Sequence, residues 1–401
     1  MMKLMTLAAS LALALTPGWL FAATDPVANA ITSGKATLDL RMRYENVQQD
    51  NPLKDADALT LRTRLTYETG AAYGFSALVE FEDSRQVFGV DDYDDGLESR
   101  PDYSVIADPE TTELDQALLQ YKNRMMTIKL GRQVIAWDNQ RFVGHVGWRQ
   151  DRQTFDGATI GYTPMKNLSL NYGYLSQRNR IFAEERDVNA DDHLLNASYK
   201  TDFGTLVGYG YLLEVDDNTD NDLDTWGVRF AGNTDLRGTT VSYAAEWATQ
   251  ESDSAGTSFD ADYWLLEGGV GLFGLKATLG YEVLGSDSGN YGFATPLATL
   301  HKFNGWADQF LTTPSQGLED LYLTLTGQLP LGTWTLAYHD FDAEQSTPGV
   351  SDLGDEWNLQ YTTKFAKHYN GGIKYATYSA GDAASDKVDT DKLWLWVGAH
   401  F

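Results

Sequence analysis

Apolar and polar positions alternate along most of this chain with a period of two. Residues 36–45, ATLDLRMRYE, place Ala36, Leu38, Leu40, Met42 and Tyr44 on one parity, and Asp39, Arg41, Arg43 and Glu45 on the other. Residues 59–68, LTLRTRLTYE, set Leu59, Leu61, Leu65 and Tyr67 against Arg62 and Arg64. Residues 168–177, LSLNYGYLSQ, set Leu168, Leu170, Tyr172 and Tyr174 against Ser169, Asn171 and Gly173. The pattern returns at 239–247, 275–283, 333–340, 356–361 and 391–401. Successive side chains of a strand point to opposite faces, so each segment predicts a strand with one apolar and one polar face.

Alternation fits two architectures. In a soluble sandwich the apolar face is the core; in a membrane barrel it meets lipid and the polar face lines a wet lumen. Two features favour the barrel. The apolar face repeatedly ends in an aromatic (Tyr44, Tyr67, Tyr121, Tyr162, Tyr281, Trp247), as an interfacial girdle requires. The connections are also expected to alternate strictly between short and long. The short ones fall at 68–74, 122–124, 163–167, 200–204, 233–238, 270–274, 327–332 and 364–370. The long ones carry acidic clusters at 90–98, 178–192, 215–224 and 251–256. Counting elements between them predicts an all-β, antiparallel up-and-down barrel of about eighteen strands, with short periplasmic turns and long extracellular loops.

The two ends agree with that reading. Residues 1–22 read as a secretory signal peptide: Lys3 is a basic start, Leu4 to Leu15 is apolar, and Pro17 and Gly18 break the run. Residues 23–401 then form the barrel, in the outer membrane of a Gram-negative cell. The last residues, DKLWLWVGAHF, put Leu393, Leu395, Val397, Ala399 and Phe401 on one parity. A closed barrel leaves no edge, so this strand must pair with the first. Its apolar parity ending in an aromatic resembles the C-terminal signal read by the barrel assembly machinery, with Phe401, Val397 and Leu395 as its core.

Composition narrows the function. There are 37 glycines, 22 tyrosines, 10 prolines and no cysteine, and the net charge of −27 argues against nucleic acid as a partner. The stretch 264–285 is too rich in glycine and charge for a spanning helix. No HExxH, GxSxG or phosphate-binding loop is present, and neither a reaction, a cofactor nor a metal is expected. VDDNTDNDLD places Asp216, Asn218 and Asp220 at alternate positions but lacks the glycine and glutamate of a calcium loop. It reads as an acidic surface loop facing lipopolysaccharide and its bridging cations.

The richest chemistry lies in 131–156. Arg132, Arg141, Arg149 and Arg152 are interleaved with Trp137 and Trp148 in a long connection poor in acids. Guanidinium forks bind carboxylates and indole faces stack on sugars, so these residues are candidates for a solute pathway. The alternative is that the arginines neutralise lumenal carboxylates and only hold the loop. Arg41, Arg43, Arg62 and Arg64 share the lumenal parity of two adjacent strands, as a basic ladder or as a mesh with Asp39, Glu45, Glu80 and Glu82. Residues 292–317, with His301, Lys302, Trp306 and Asp308, are expected to fold over or into the mouth, as a lid or as a plain cap.

Three segments carry a family resemblance: LGRQVIAWDNQRFVGHVGWRQDRQTFDGATIGY (130–162), GFATPLATLHKFNGWADQFLTTPSQGLEDLYL (292–323) and the closing strand. They resemble the bacterial alginate-export porins. The resemblance implies an eighteen-strand outer-membrane barrel, and in the best-known member an arginine-lined pore that passes alginate outward. The expectation is a monomeric channel for anionic or sugar-acid solutes, alginate or oligouronates among them. The alternatives are a general or cation-favouring porin and, in another class, an outer-membrane enzyme or a structural, adhesin-like barrel.

Overall fold

The computed structural model describes residues 25–216, 221–254 and 256–401. The expected signal peptide, residues 1–22, lies outside the described residues, as do Asn218 and Asp220 of the acidic loop. A short helix, α1 (Pro26–Thr32), precedes the barrel; the Asp25 carboxylate accepts the Val27 N–H at 2.9 Å and caps it. It docks where Gly70 N–H donates to the Ala30 carbonyl, at the end of the barrel that carries the short turns.

Eighteen antiparallel strands follow. They are β1 (Lys35–Gln49), β2 (Ala56–Glu68), β3 (Phe75–Asp92), β4 (Thr111–Lys122), β5 (Met126–Gln133), β6 (Thr154–Met165), β7 (Leu168–Asn179), β8 (Val188–Lys200) and β9 (Thr205–Glu214). Then come β10 (Asn221–Leu236), β11 (Thr239–Ser254), β12 (Thr257–Leu272), β13 (Leu275–Leu284), β14 (Leu318–Leu329), β15 (Gly332–Thr347), β16 (Val350–Phe365), β17 (Tyr369–Ser379) and β18 (Thr390–His400). Each pairs with its neighbours in sequence, and β18 pairs back onto β1, with Leu395 opposite Tyr44 and Val397 opposite Met42. Phe401 N–H donates to the Leu38 carbonyl at 2.9 Å and Leu38 N–H returns to Phe401 at 3.1 Å. The sheet is closed to its last residue, as a span without water requires.

The polarity is that of a membrane barrel. Arg43, Glu45 and Glu82 are each about 1% exposed, while Leu266, Leu130 and Leu279 on the outer parity are exposed by 63%, 60% and 57%. Tyr67, Tyr162, Trp247 and Tyr281 also face outward. Apolar side chains left bare at this scale are stable against lipid, not water.

The long connections do not alternate strictly with the short ones. Ser254 pairs with Thr257 and Thr347 with Val350, so two hairpins at the long-loop end turn in two residues. The acidic segment 251–256, expected as a loop, is mostly strand, and Asn221–Asp224 of 215–224 open β10. The ladder continues through polar residues beyond the membrane, where water rather than lipid faces both sides of the sheet. The longest connections are 93–110, 134–153 and 285–317, with 180–187 and 380–389 of middle length.

Candidate functional site

Residues 134–153 and 285–317 turn into the barrel rather than over it. Their apolar residues decide this. Ile135, Phe142 and Val143 of the first loop and Phe293, Leu297, Ala307 and Phe310 of the second join inward-facing Tyr209, Tyr263, Phe341 and Tyr378 in one buried cluster. Phe142 lies 5.0 Å from Tyr209 and 5.4 Å from Tyr263, and Phe310 lies 4.5 Å from Phe341. Burying each such side chain is worth about 1.5–3 kcal/mol, which an outward loop would forfeit.

The two loops form one body. Gly144 N–H donates to the Leu297 carbonyl at 2.8 Å, Thr299 N–H to Gln140 at 3.1 Å, and Lys302 Nζ to Asn139 at 2.8 Å. Gly144 is needed there, because a Cβ would meet Thr299 Oγ1 at 2.2 Å. The backbone is strained: Val146 has φ 49°, a left-handed conformation rare for a β-branched residue, and Asp138, Gln140, Asn304 and Asp308 share that region. Surroundings this dense hold such residues in place.

The arginines act mainly as clamps. Arg149 bonds both Glu45 oxygens at 3.0 Å and Asp308 at 3.3 Å. Arg141 pairs with Glu282 at 3.0 Å and Asn304 at 3.0 Å, between the Tyr263 and Phe303 rings. Arg152 reaches Asp115 at 3.0 Å and also Glu80. On the wall, Arg43 meets Asp108, Glu45 and the Trp148 carbonyl, Arg62 meets Asp39, and Arg64 meets Glu82. Burial alone would raise the Asp108 carboxyl, but Arg43, Arg149 and the Gln150 N–H hold it below the usual range. Arg41 differs. It sits opposite Arg62, and its four hydrogen bonds go to uncharged oxygens: Gln150 Oε1 and the carbonyls of Gly147, Trp148 and Arg149.

Arg132 is not in the lumen. It shares the parity of Ile128 and Leu130, the outer face, and is bound bidentately by Asp156 at 2.7 and 3.0 Å. The continuous Ile128–Leu130–Arg132 alternation carried that signal in the sequence. Trp137 lies 6.4 Å from Tyr211 against the wall. Trp148 is enclosed: it stacks on His301 at 5.0 Å, meets Trp394 and Trp396 edge-on, and lies under Lys374 Nζ at 4.0 Å. Its faces are taken by protein groups.

His301 and Asp308, read as possible lid residues, are buried at the centre. His301 Nδ1–H donates to Asp308 Oδ1 at 2.7 Å, and its Nε2 accepts from Lys374 Nζ at 3.0 Å. A ring that accepts from an ammonium is neutral; burial pushes the His301 pKa down to about 3 despite Asp308. Asp308 also receives Lys392 at 2.9 Å. Trp306 N–H and Ala307 N–H both donate to Glu356 of β16, the latter at 2.9 Å. Gly305, at φ 83°, gives that carboxylate room, since a Cβ would meet Glu356 Oε2 at 2.3 Å. Sequence reading missed Lys374, Asp108 and Glu356. Lys374 lies on the inward parity of its strand, between outward Ile373 and Tyr375; its cage comes from three distant segments.

Beside the loops a cavity of about 410 Å³ remains, lined by Asn139, Arg229, Glu267, Lys302, Tyr322 and His339 among others. A barrel closed on eighteen strands, polar within and apolar without, and narrowed by infolded loops has the form of a solute channel. The family model described as alginate export matches residues 35–286. The chain belongs to the alginate export family. It is an outer-membrane channel rather than an enzyme. No curated protein sequence matches it. Its fold is similar to OccAB4 of Acinetobacter baumannii, with a TM-score of 0.74, 14% identity, and coverage of 93% of this chain and 99% of that one. OccAB1 of the same organism gives 0.72 at 14% identity, covering 93% and 97%. OpdK of Pseudomonas aeruginosa, solved with vanillate, gives 0.70 at 12% identity, covering 92% and 99%. At these identities the likeness is one of fold.

Proposed function

We propose that the channel passes small anionic solutes, sugar acids or short oligouronates among them. The observation that carries this is Arg41. Its guanidinium stands on the lumenal parity with only neutral oxygens bonded to it, so no carboxylate is hydrogen-bonded to its charge. Lys302, exposed and bonded to the Asn139 carbonyl, adds a positive group at the cavity beside the loops. A unit charge 4 Å away is worth about 1 kcal/mol in water and about 4 kcal/mol at an effective dielectric of 20. The acidic loops outside are screened over about 8 Å at physiological salt. Vanillate, bound by the fold relative OpdK, is an aromatic carboxylate and suits the same reading. The infolded loops favour single units or short oligomers over a thick polymer bundle.

A second reading, a general or cation-favouring porin, rests on the opposite wall. There Glu267, bonded by the Tyr322 hydroxyl at 3.0 Å, and Asp320 line the cavity. Planar-bilayer recording separates the two. Galacturonate added to one side should block chloride current at concentrations where galactose does nothing. Equal indifference to both sugars, with block by polyamines, favours the acidic wall.

A further inference from the structure

The wall of β3 and β4 carries more carboxylates than its arginines neutralise. Glu82 stands directly opposite Glu113 in the strand register, a like-charge pairing that destabilises a sheet. Glu80 and Asp115 lie beside them, and Asp151 arrives from the first infolded loop. Arg64 serves Glu82 and Asp115, and Arg152 serves Glu80 and Asp115. Five carboxylates thus share two guanidinium groups.

Oxygens of Glu82, Glu113 and Asp151 all lie within 4.8 Å of one another. Glu82 and Asp151 are each 1% exposed. Each has one oxygen committed: Glu82 Oε2 to Arg64, and Asp151 Oδ2 to the Ala183 N–H at 3.2 Å. The other two, Glu82 Oε1 and Asp151 Oδ1, are buried with no hydrogen-bond partner among the described residues. A buried, unpaired carboxylate oxygen is costly, and two at one point call for a shared positive partner.

We propose that Glu82, Glu113 and Asp151 bind a calcium ion that pins the infolded loop to the barrel wall. The donors are all hard oxygens. Oxygens that all lie within 4.8 Å of one another can be bridged by one ion with Ca–O bonds of about 2.3–2.6 Å, and calcium accepts an irregular set of carboxylates where magnesium demands a near-ideal octahedron. A divalent ion offsets the repulsion between Glu82 and Glu113 and gives Asp151 a bond to both strands. Ala183 N–H ties the same carboxylate to the turn at 180–187, so the ion joins two strands and two loops. The rival is one proton shared between Asp151 and Glu113.

The test uses the full-length barrel, refolded in detergent free of lipopolysaccharide and stripped with chelator. Equilibrium dialysis with radioactive calcium, in high KCl with excess magnesium to mask surface acids, should give one saturable site per chain. Asp151→Asn and Glu113→Gln should weaken it at least tenfold, while Asp102→Asn, on an exposed carboxylate, should not. Absence of a saturable site in the wild type, or equal affinity in Asp151→Asn, overturns the proposal. Should both variants fail to fold, a terbium-soaked wild-type crystal decides. An anomalous peak within bonding distance of Glu82 and Asp151 supports the site; no peak there removes it.

Discussion

At the scale of single residues, the lumen is held by charges that cannot be removed one at a time. Asp308 receives His301, Arg149 and Lys392, all nearly buried. Asp308→Ala would leave Lys392 and the His301 N–H without their carboxylate and Arg149 with Glu45 alone, a cost of about 3–5 kcal/mol. The variant should show its folded, heat-shifted gel band lost at a lower temperature and noisier open-channel current; an unchanged transition would deny Asp308 its anchoring role. The histidines set a pH limit. Burial, with Arg152, Arg64 and Lys302 nearby, pushes His145 down to about 4, and burial pushes His301 down to about 3 between Asp308, Lys374 and Arg149. Both pKa values are depressed, so the stabilisation is whole above the ordinary histidine value of about 6.5 and is lost as pH falls toward 4 and below. Amides of the two infolded loops should lose exchange protection between pH 7 and 4 while strand amides keep theirs. Equal protection at both pH values would contradict this. Parity made the inward position of Arg41, Arg43, Arg62 and Arg64 legible in the sequence. Their wall partners Asp39, Glu45 and Glu82 were legible too, as the mesh alternative; the loop partners were not, because Arg149 finds Glu45 across 104 positions of chain.

At the scale of elements, period-two alternation located the strands but not their ends. The segments read at 36–45, 239–247 and 356–361 sit inside β1, β11 and β16, which run several residues further. Those extensions are mostly polar, NVQQ in β1 and ATQESDS in β11, and look like loop, yet the ladder carries them on. The closing strand was legible to its last residue. Phe401 completes the pairing with Leu38 and stacks on His368 at 5.2 Å. Deleting Phe401, or Phe401→Asp, should cut the yield of heat-modifiable protein in outer-membrane fractions severely. Wild-type yields for both variants would mean that the strand closes without its terminal aromatic.

At the scale of the whole molecule, the net charge of −27 and the chemistry of the passage point in opposite directions. Many acids stand outside in salt water or are met inside by arginines, and on the wall of β1 and β2 Arg41 is hydrogen-bonded only to neutral oxygens. The fold was legible as a barrel because every strand repeats the same pattern. The inward course of 134–153 and 285–317 was not, because it depends on apolar residues meeting tyrosines from strands far along the chain. The most direct test is the reversal potential across a tenfold KCl gradient, for wild type, Arg41→Gln and Arg132→Gln. The wild type should reverse on the chloride side. Arg41→Gln should move toward zero or beyond it, and Arg132→Gln, on the outer face, should match the wild type. A potassium-selective wild type whose potential Arg41→Gln leaves unmoved would contradict the account and give the passage to the acidic wall.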